Sequence, residues 1–151
     1  MNNIRQAREA DLARIAEIEI FNYRLNFYPF FHNDPFYFDE LQVPKRMENY
    51  RAQLDTLWVY DDGVVKGFLQ ASDGELRKLF VEPVLQGQSI GTALLCYAID
   101  AHDVQRLWVL EKNVRAIAFY QHHGFALTEE RHPGEDYLLR MKRCLAGTTA
   151  K

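Results

Sequence analysis

The feature that most constrains the fold is a change of hydrophobic period inside one short stretch, Glu75 to Leu95 (ELRKLFVEPVLQGQSIGTALL). Glu75 to Val81 reads as a strand, and Pro83 then ends regular pairing. From Ser89 to Ala101, Ile90, Ala93, Leu94, Tyr97, Ala98 and Ala101 share one helical face. A strand that passes through a glycine-bearing loop into a helix leaves several backbone N–H groups at the helix start without intrahelical partners. With the helix dipole these form an anion site suited to a phosphate or pyrophosphate. Gly87 and Gly91 let a ligand come close to the backbone. The stretch holds neither a Gly-Lys-Ser/Thr loop nor a G-x-G-x-x-G fingerprint, so it matches neither common nucleotide motif.

The rest of the chain builds a mixed sheet around that unit. Asn3 to Arg8 alternates as a strand, and Leu12, Ile15, Ala16, Ile18 and Phe21 mark an amphipathic helix. A polar helix is expected near Lys45 to Leu54. Leu57 to Tyr60 and Val64 to Ala71 form a hairpin through Asp61-Asp62-Gly63, and Ser72-Asp73-Gly74 turns into the Glu75 strand. Val104 to Leu110 reads as a buried strand, Asn113 to Gln121 as a short helix, and two strands follow, Gly124 to Glu130 and Tyr137 to Arg143. The order predicts an α/β (mixed α+β) fold: a central, mostly antiparallel sheet of six to seven strands with helices on both faces.

With 151 residues the chain fits one domain, expected over 1–144, with 145–151 as a short tail. A formal charge of −3 argues against a nucleic-acid partner. The two cysteines, Cys96 and Cys144, make no disulfide framework or metal knuckle, and His32, His102 and His132 lack ligand spacing, so no metal is expected. No apolar run is long enough to cross a membrane, and residues 1–15 contain no signal-peptide core, so a cytoplasmic location is expected. Composition departs from the ordinary at one place: half of the aromatic residues lie between Phe21 and Tyr50. Pro29, Pro35 and Pro44 interrupt them, which argues for loops there rather than one long helix.

A second stretch, Leu107 to Phe125 (LWVLEKNVRAIAFYQHHGF), combines with the first. Val81, Pro83, Gln86 and Gly91 fit V-x-P-x-x-(Q/R)-x-x-G-x-G, with Ser89 in place of its first glycine. Asn113, Ala116, Phe119, Tyr120, Gly124 and Phe125 fit N-x-x-A-x-x-(F/L)-Y-x-x-x-G-F without a gap. Together these stretches resemble the GNAT superfamily of acyl-CoA-dependent N-acetyltransferases, and the resemblance extends over nearly the whole chain apart from the aromatic stretch and the tail.

The resemblance implies acetyl-CoA as co-substrate. Leu79, Phe80 and Val81 would bond the pantetheine arm, Gln86, Gly87, Gln88, Ser89, Ile90, Gly91 and Thr92 would cradle the pyrophosphate, and Asn113 would contact the pantetheine region. Ser89 is also a good helix-capping type, and its hydroxyl could meet a phosphate. Tyr120 would protonate the departing thiolate, and Glu75, eleven residues before Gln86, is the candidate base. As a strand residue Glu75 should share a face with Arg77, Leu79 and Val81. Plainer readings stand beside these: Asn113 as a helix cap, Tyr120 as a core aromatic, Glu75 as an exposed strand residue, and His122 and His123 as cations at a helix end. Tyr23 to Phe38 should wall the acceptor site, with Tyr28 and His32 reaching it. The local acids Asp34, Asp39 and Glu40 would favour a cationic amine, a small molecule or a peptide. A homodimer is left open. The rival reading is a GNAT-fold module that senses acyl-CoA without turnover.

Overall fold

The computed structural model describes residues 3–144, so the expected tail lies outside the described residues. Its strands are β1 (Ile4–Gln6), β2 (Leu57–Asp61), β3 (Val65–Ser72), β4 (Glu75–Val81), β5 (Arg106–Leu110), β6 (Phe125–His132) and β7 (Glu135–Arg143). Its main helices are α1 (Leu12–Asn26), α2 (Tyr28–Phe31), α3 (Val43–Arg51), α4 (Ile90–His102) and α5 (Val114–His122). The strands form one seven-stranded sheet in the order β1-β2-β3-β4-β5-β7-β6. Every pairing is antiparallel except β4 with β5. The mixed architecture expected from the sequence is the one observed.

Alternation along β3 divides the core between the two faces of the sheet. Leu69 joins Leu76, Val81, Leu94, Leu95 and Ala98 beneath α4. Phe68, on the opposite face, packs with Leu12, Ile15, Ile18 and Tyr50 beneath α1 and α3. Helix α4 approaches closely because β3 carries a glycine: a Cβ on Gly67 would come within 3.0 Å of both Leu94 Cδ1 and the Phe80 carbonyl oxygen.

The aromatic segment is more helical than its prolines suggest. α1 runs through Tyr23 to Asn26, α2 makes one turn, and a π-helical turn covers Pro35–Glu40. Prolines do stop each element, but all three lie in first-turn positions, where a missing N–H costs nothing. The Arg24 guanidinium holds the segment down by donating to the carbonyls of Tyr37 (3.1 Å) and Leu41 (3.3 Å).

Two features of the sheet shape the site. β4 and β5 pair only at Glu75–Arg106 and Leu76–Leu107, and then diverge. On the other side of β4, Ala71 faces Leu76 while Gln70 faces Lys78, so Arg77 is an extra residue in a β-bulge. The bulge corrects the expected facing of Glu75. Leu76, Leu79 and Val81 pack on the α4 side, whereas Phe80 and Lys78 face α1. One inserted residue reverses the alternation, so Glu75 lies on the face of Lys78 and Phe80.

A buried charge cluster ties α1, α3 and β4 together. Glu19 is fully buried, and its carboxylate accepts from Arg46 (2.8 and 3.2 Å), Tyr50 (2.7 Å) and Lys78 (2.5 Å). Burial alone would raise the Glu19 pKa, but Lys78 and Arg46 outweigh it and hold the group below its ordinary value. Removing the one anion leaves the buried Arg46 charge uncompensated, which costs about 3–5 kcal/mol. Glu19→Gln should therefore lower the urea midpoint markedly, and an unchanged midpoint would contradict this role. Because the folded pKa is depressed, the stabilisation is present above the ordinary carboxylate range and lost as pH falls from there through the lower folded value. The variant's stability should accordingly vary less with acid pH than that of the wild type.

Candidate functional site

Where β4 and β5 part, two depressions meet. The first, of about 430 Å³, lies between the start of α4 and α5. Leu79, Phe80, Val81, Gln86, Gly87, Ser89, Ile90, Gly91, Thr92 and Asn113 all line it, as does Tyr120; of the expected cofactor residues only Gln88 does not. Phe119 of the second motif lines it as well, and so do Asn22, Phe27, Leu85 and Arg115, which neither motif marks.

The loop into α4 has an unusual backbone. Gly87 lies at φ +86° with open space where a Cβ would stand. Ser89 follows at φ 66°, ψ 11°, in the left-handed region, and its side chain makes no capping bond. The expectation that Ser89 caps α4 is therefore corrected: an N-cap needs an extended backbone, and this turn bends the other way. The family's glycine at this position has a plain reason, since a side chain there costs roughly 1–2 kcal/mol. The first N–H groups of α4 lack intrahelical partners, and the first intrahelical bond into this turn runs from Ala93 N–H to the Ser89 carbonyl (3.1 Å). They open onto the cleft beside Arg115, an arrangement that fits a pyrophosphate.

Gln86 does not point outward. Its amide donates to Asn22 Oδ1 (3.1 Å), and Asn22, itself buried, donates to the Val81 carbonyl (2.9 Å). This bridge fixes the end of β4 relative to α1. Asn113 is the cap of α5 and also lines the cleft. Its Oδ1 accepts from the Ala116 N–H (3.2 Å). Tyr120 is half-buried, its ring edge-on to Phe119 (5.3 Å) and Phe125 (5.9 Å), and burial pushes its phenol pKa up. The His123 imidazole meets the Phe119 carbonyl (2.9 Å) at the end of α5, in line with the expected helix-end position.

The second depression is a groove of about 1000 Å³ on the α1 face. It shares Phe27, Leu79, Phe80, Asn113, Ala116 and Tyr120 with the first, so the two are continuous. Tyr23, Phe27, Phe31, Phe36 and Tyr37 form one wall, and Trp108, Tyr137 and Leu138 face them. Tyr28 and His32 do not line it. The Tyr28 ring packs edge-on against Tyr37 (5.5 Å) and Phe38 (5.3 Å), and its hydroxyl bonds Asp34. His32 is exposed in a left-handed turn. Asp34, Asp39 and Glu40 are likewise exposed and lie outside the groove lining, so the local acid excess faces solvent. Phe31 instead reaches across to the Tyr137 ring (5.3 Å), roofing part of the groove.

Charged groups lie at the groove's far end. Glu75 Oε1 stands 3.7 Å from Arg106 and 3.6 Å from Arg140, and the Arg140 guanidinium stacks on Trp108 at 3.8 Å. Lys78, nearer the split, also lines the groove.

Against known proteins, the family model "Acetyltransferase (GNAT) domain" matches residues 53–127. The chain is 35% identical over 89 residues to the peptidyl-lysine N-acetyltransferase YiaC of Escherichia coli, covering 58% of this chain and 60% of that one. It is 31% identical over 91 residues to the peptidyl-lysine N-acetyltransferase YjaB of Salmonella typhimurium, covering 52% and 63%. The matched part thus spans less than two thirds of either relative. In fold it is similar to the PaiA N-acetyltransferase of Thermoplasma acidophilum, solved in complex with coenzyme A, with a TM-score of 0.68 at 21% identity over 92% of this chain and 97% of that one. In its matched residues and in its fold the chain is similar to the GNAT superfamily.

Gly91 offers a clean probe of the first cleft. A Cβ there would meet Phe119 at 3.6 Å and Val81 at 3.8 Å, ordinary contact distances, so the backbone tolerates a side chain. Gly91→Leu should fold normally, fill the cleft and weaken acetyl-CoA binding at least tenfold, about 1.4 kcal/mol. Calorimetry giving wild-type affinity for the folded variant would place the ligand elsewhere.

Proposed function

We propose that this protein transfers an acetyl group from acetyl-CoA directly to a primary amine. The observation that carries the reading is the continuity of the two depressions through the β4–β5 split. One is lined by free helix N–H groups suited to phosphates, the other by aromatic walls suited to an amine's carbon body. The relatives named peptidyl-lysine N-acetyltransferases support an amine acceptor, and a lysine side chain on a peptide is one form of it.

In this reading the N–H groups opening α4, with Arg115, hold the pyrophosphate, and Leu79 to Val81 guide the pantetheine arm along the unpaired edge of β4. A backbone N–H of that edge supports the carbonyl oxygen as negative charge develops on it. Tyr120, whose raised pKa keeps it protonated, gives its proton to the departing thiolate. Cys96 is exposed on α4 and, like Cys144, is absent from both cleft linings, which favours direct attack over a covalent enzyme intermediate.

The reading is tested by thiol release from acetyl-CoA across a panel of amines that includes lysine peptides. Release that depends on an amine supports transfer. Tight acetyl-CoA binding with no release would instead support the sensor reading. Tyr120→Phe should lower kcat by about 10²-fold, the lower end expected of general acids because a thiol is a fair leaving group, and change the acetyl-CoA KM much less. Wild-type turnover in the variant, measured where chemistry limits the rate, would leave Tyr120 a packing residue.

A further inference from the structure

An amine arriving as its ammonium must lose a proton before it can attack, and resting on the transfer reading above, the groove must contain a group that takes it. Glu75 stands four positions before Leu79 on β4, about 10 Å away once the bulge is allowed for, and its charge is shared between Arg106 and Arg140. Lys78 is adjacent to Leu79, shares the face of Phe80, and lines the groove. We propose that Lys78 is the base that accepts the acceptor's proton.

The hydrogen bonds around Lys78 suit a neutral amine. Its Nζ donates to Glu19 Oε2 (2.5 Å) and to the Tyr50 hydroxyl (2.9 Å). A neutral amine has two N–H donors, so these partners use both and leave the lone pair free. The charge count points the same way. Glu19 is the one carboxylate of the cluster and Arg46 already pairs with it; Arg46 stays protonated at all working pH, so losing the Lys78 proton leaves the buried cluster neutral. The other groups facing Lys78 are Tyr23 and Glu19 from α1, Arg46 and Tyr50 from α3, and Gln70 from β3. Burial pushes the Lys78 pKa down, Glu19 draws it back and Arg46 lowers it further; the net direction is down.

The step balances. A proton of the ammonium passes to Lys78 Nζ, and the freed nitrogen pair forms the C–N bond as the C–S bond breaks. The sulfur leaves with that bond's electrons and takes a proton from Tyr120, which regains one from the nitrogen's second N–H through solvent. Lys78 then returns its proton to water at the groove.

Two measurements test this. Trace labelling of the wild-type protein with deuterated acetic anhydride over a pH series, read by mass spectrometry, reports each lysine's titration without any turnover. Lys78 should titrate below the exposed Lys45 and Lys112; titration with them or above them would overturn the proposal. In Lys78→Arg the guanidinium still pairs Glu19 but cannot deprotonate, so the cluster keeps one extra positive charge, and the kinetics are read on protein that circular dichroism shows to be folded. The variant should lose at least 10²-fold in kcat for 2-phenylethylamine and for a lysine peptide, together with the acid limb of its pH profile. A Lys78→Arg enzyme with wild-type kcat and pH profile would make Lys78 structural only. If the wild type releases thiol with no amine, the transfer reading falls and the role falls with it, whereas either failure above leaves transfer standing.

Discussion

Everything at the candidate site depends on the brevity of one strand pairing. β4 and β5 run parallel for two residue pairs and then separate, which leaves an edge of unpaired backbone groups inside the molecule. Unpaired buried N–H and C=O groups are costly, so such an edge persists only where something else meets them. On the β4 side the Val81 carbonyl is met by Asn22, supported by Gln86. The remaining edge opens onto the two joined depressions, where a strand-like ligand arm would complete the pairing. The β-bulge at Arg77, where local twist increases, lies at the point where the two strands part.

The Glu19 cluster fixes what faces that split. By joining α1, α3 and β4 through one buried carboxylate, it sets the distance between the aromatic wall and the sheet and holds Lys78 at the groove. Such a cluster adds little net stability over an apolar equivalent, but it is intolerant of losing a member. Its presence beside a groove is better explained by placement of a titratable group than by stability.

The mixed, mostly antiparallel sheet and the order of its elements along the chain were legible in the sequence, because the strand, loop and helix each carried a clear period and the N-x-x-A motif was unbroken. The Gln86, Gly91, Asn113 and Tyr120 positions followed from those motifs, and all four line the first cleft. Two things were not legible. A single-residue bulge leaves no mark in an alternating pattern, so Glu75 was assigned to the wrong face. Tyr28 and His32 were chosen from a segment whose π-helical turn and left-handed residue no local propensity reveals; the turn directs Phe36 and Tyr37 to the groove and keeps Tyr28 for packing. Glu19 and Asn22 do leave a signal in the sequence. They are polar residues in the helix that carries Ile15, Ile18 and Ile20, and each is buried because it bonds a specific partner across the core.

The most direct test of the account is a crystal structure of the protein with acetyl-CoA bound. The account predicts the pyrophosphate on the N–H groups between Gly87 and Thr92, the pantetheine arm along Leu79 to Val81 inside the split, and the sulfur beside the Tyr120 hydroxyl. Acetyl-CoA seated outside the split, with β4 and β5 unchanged and the start of α4 uncontacted, would contradict it.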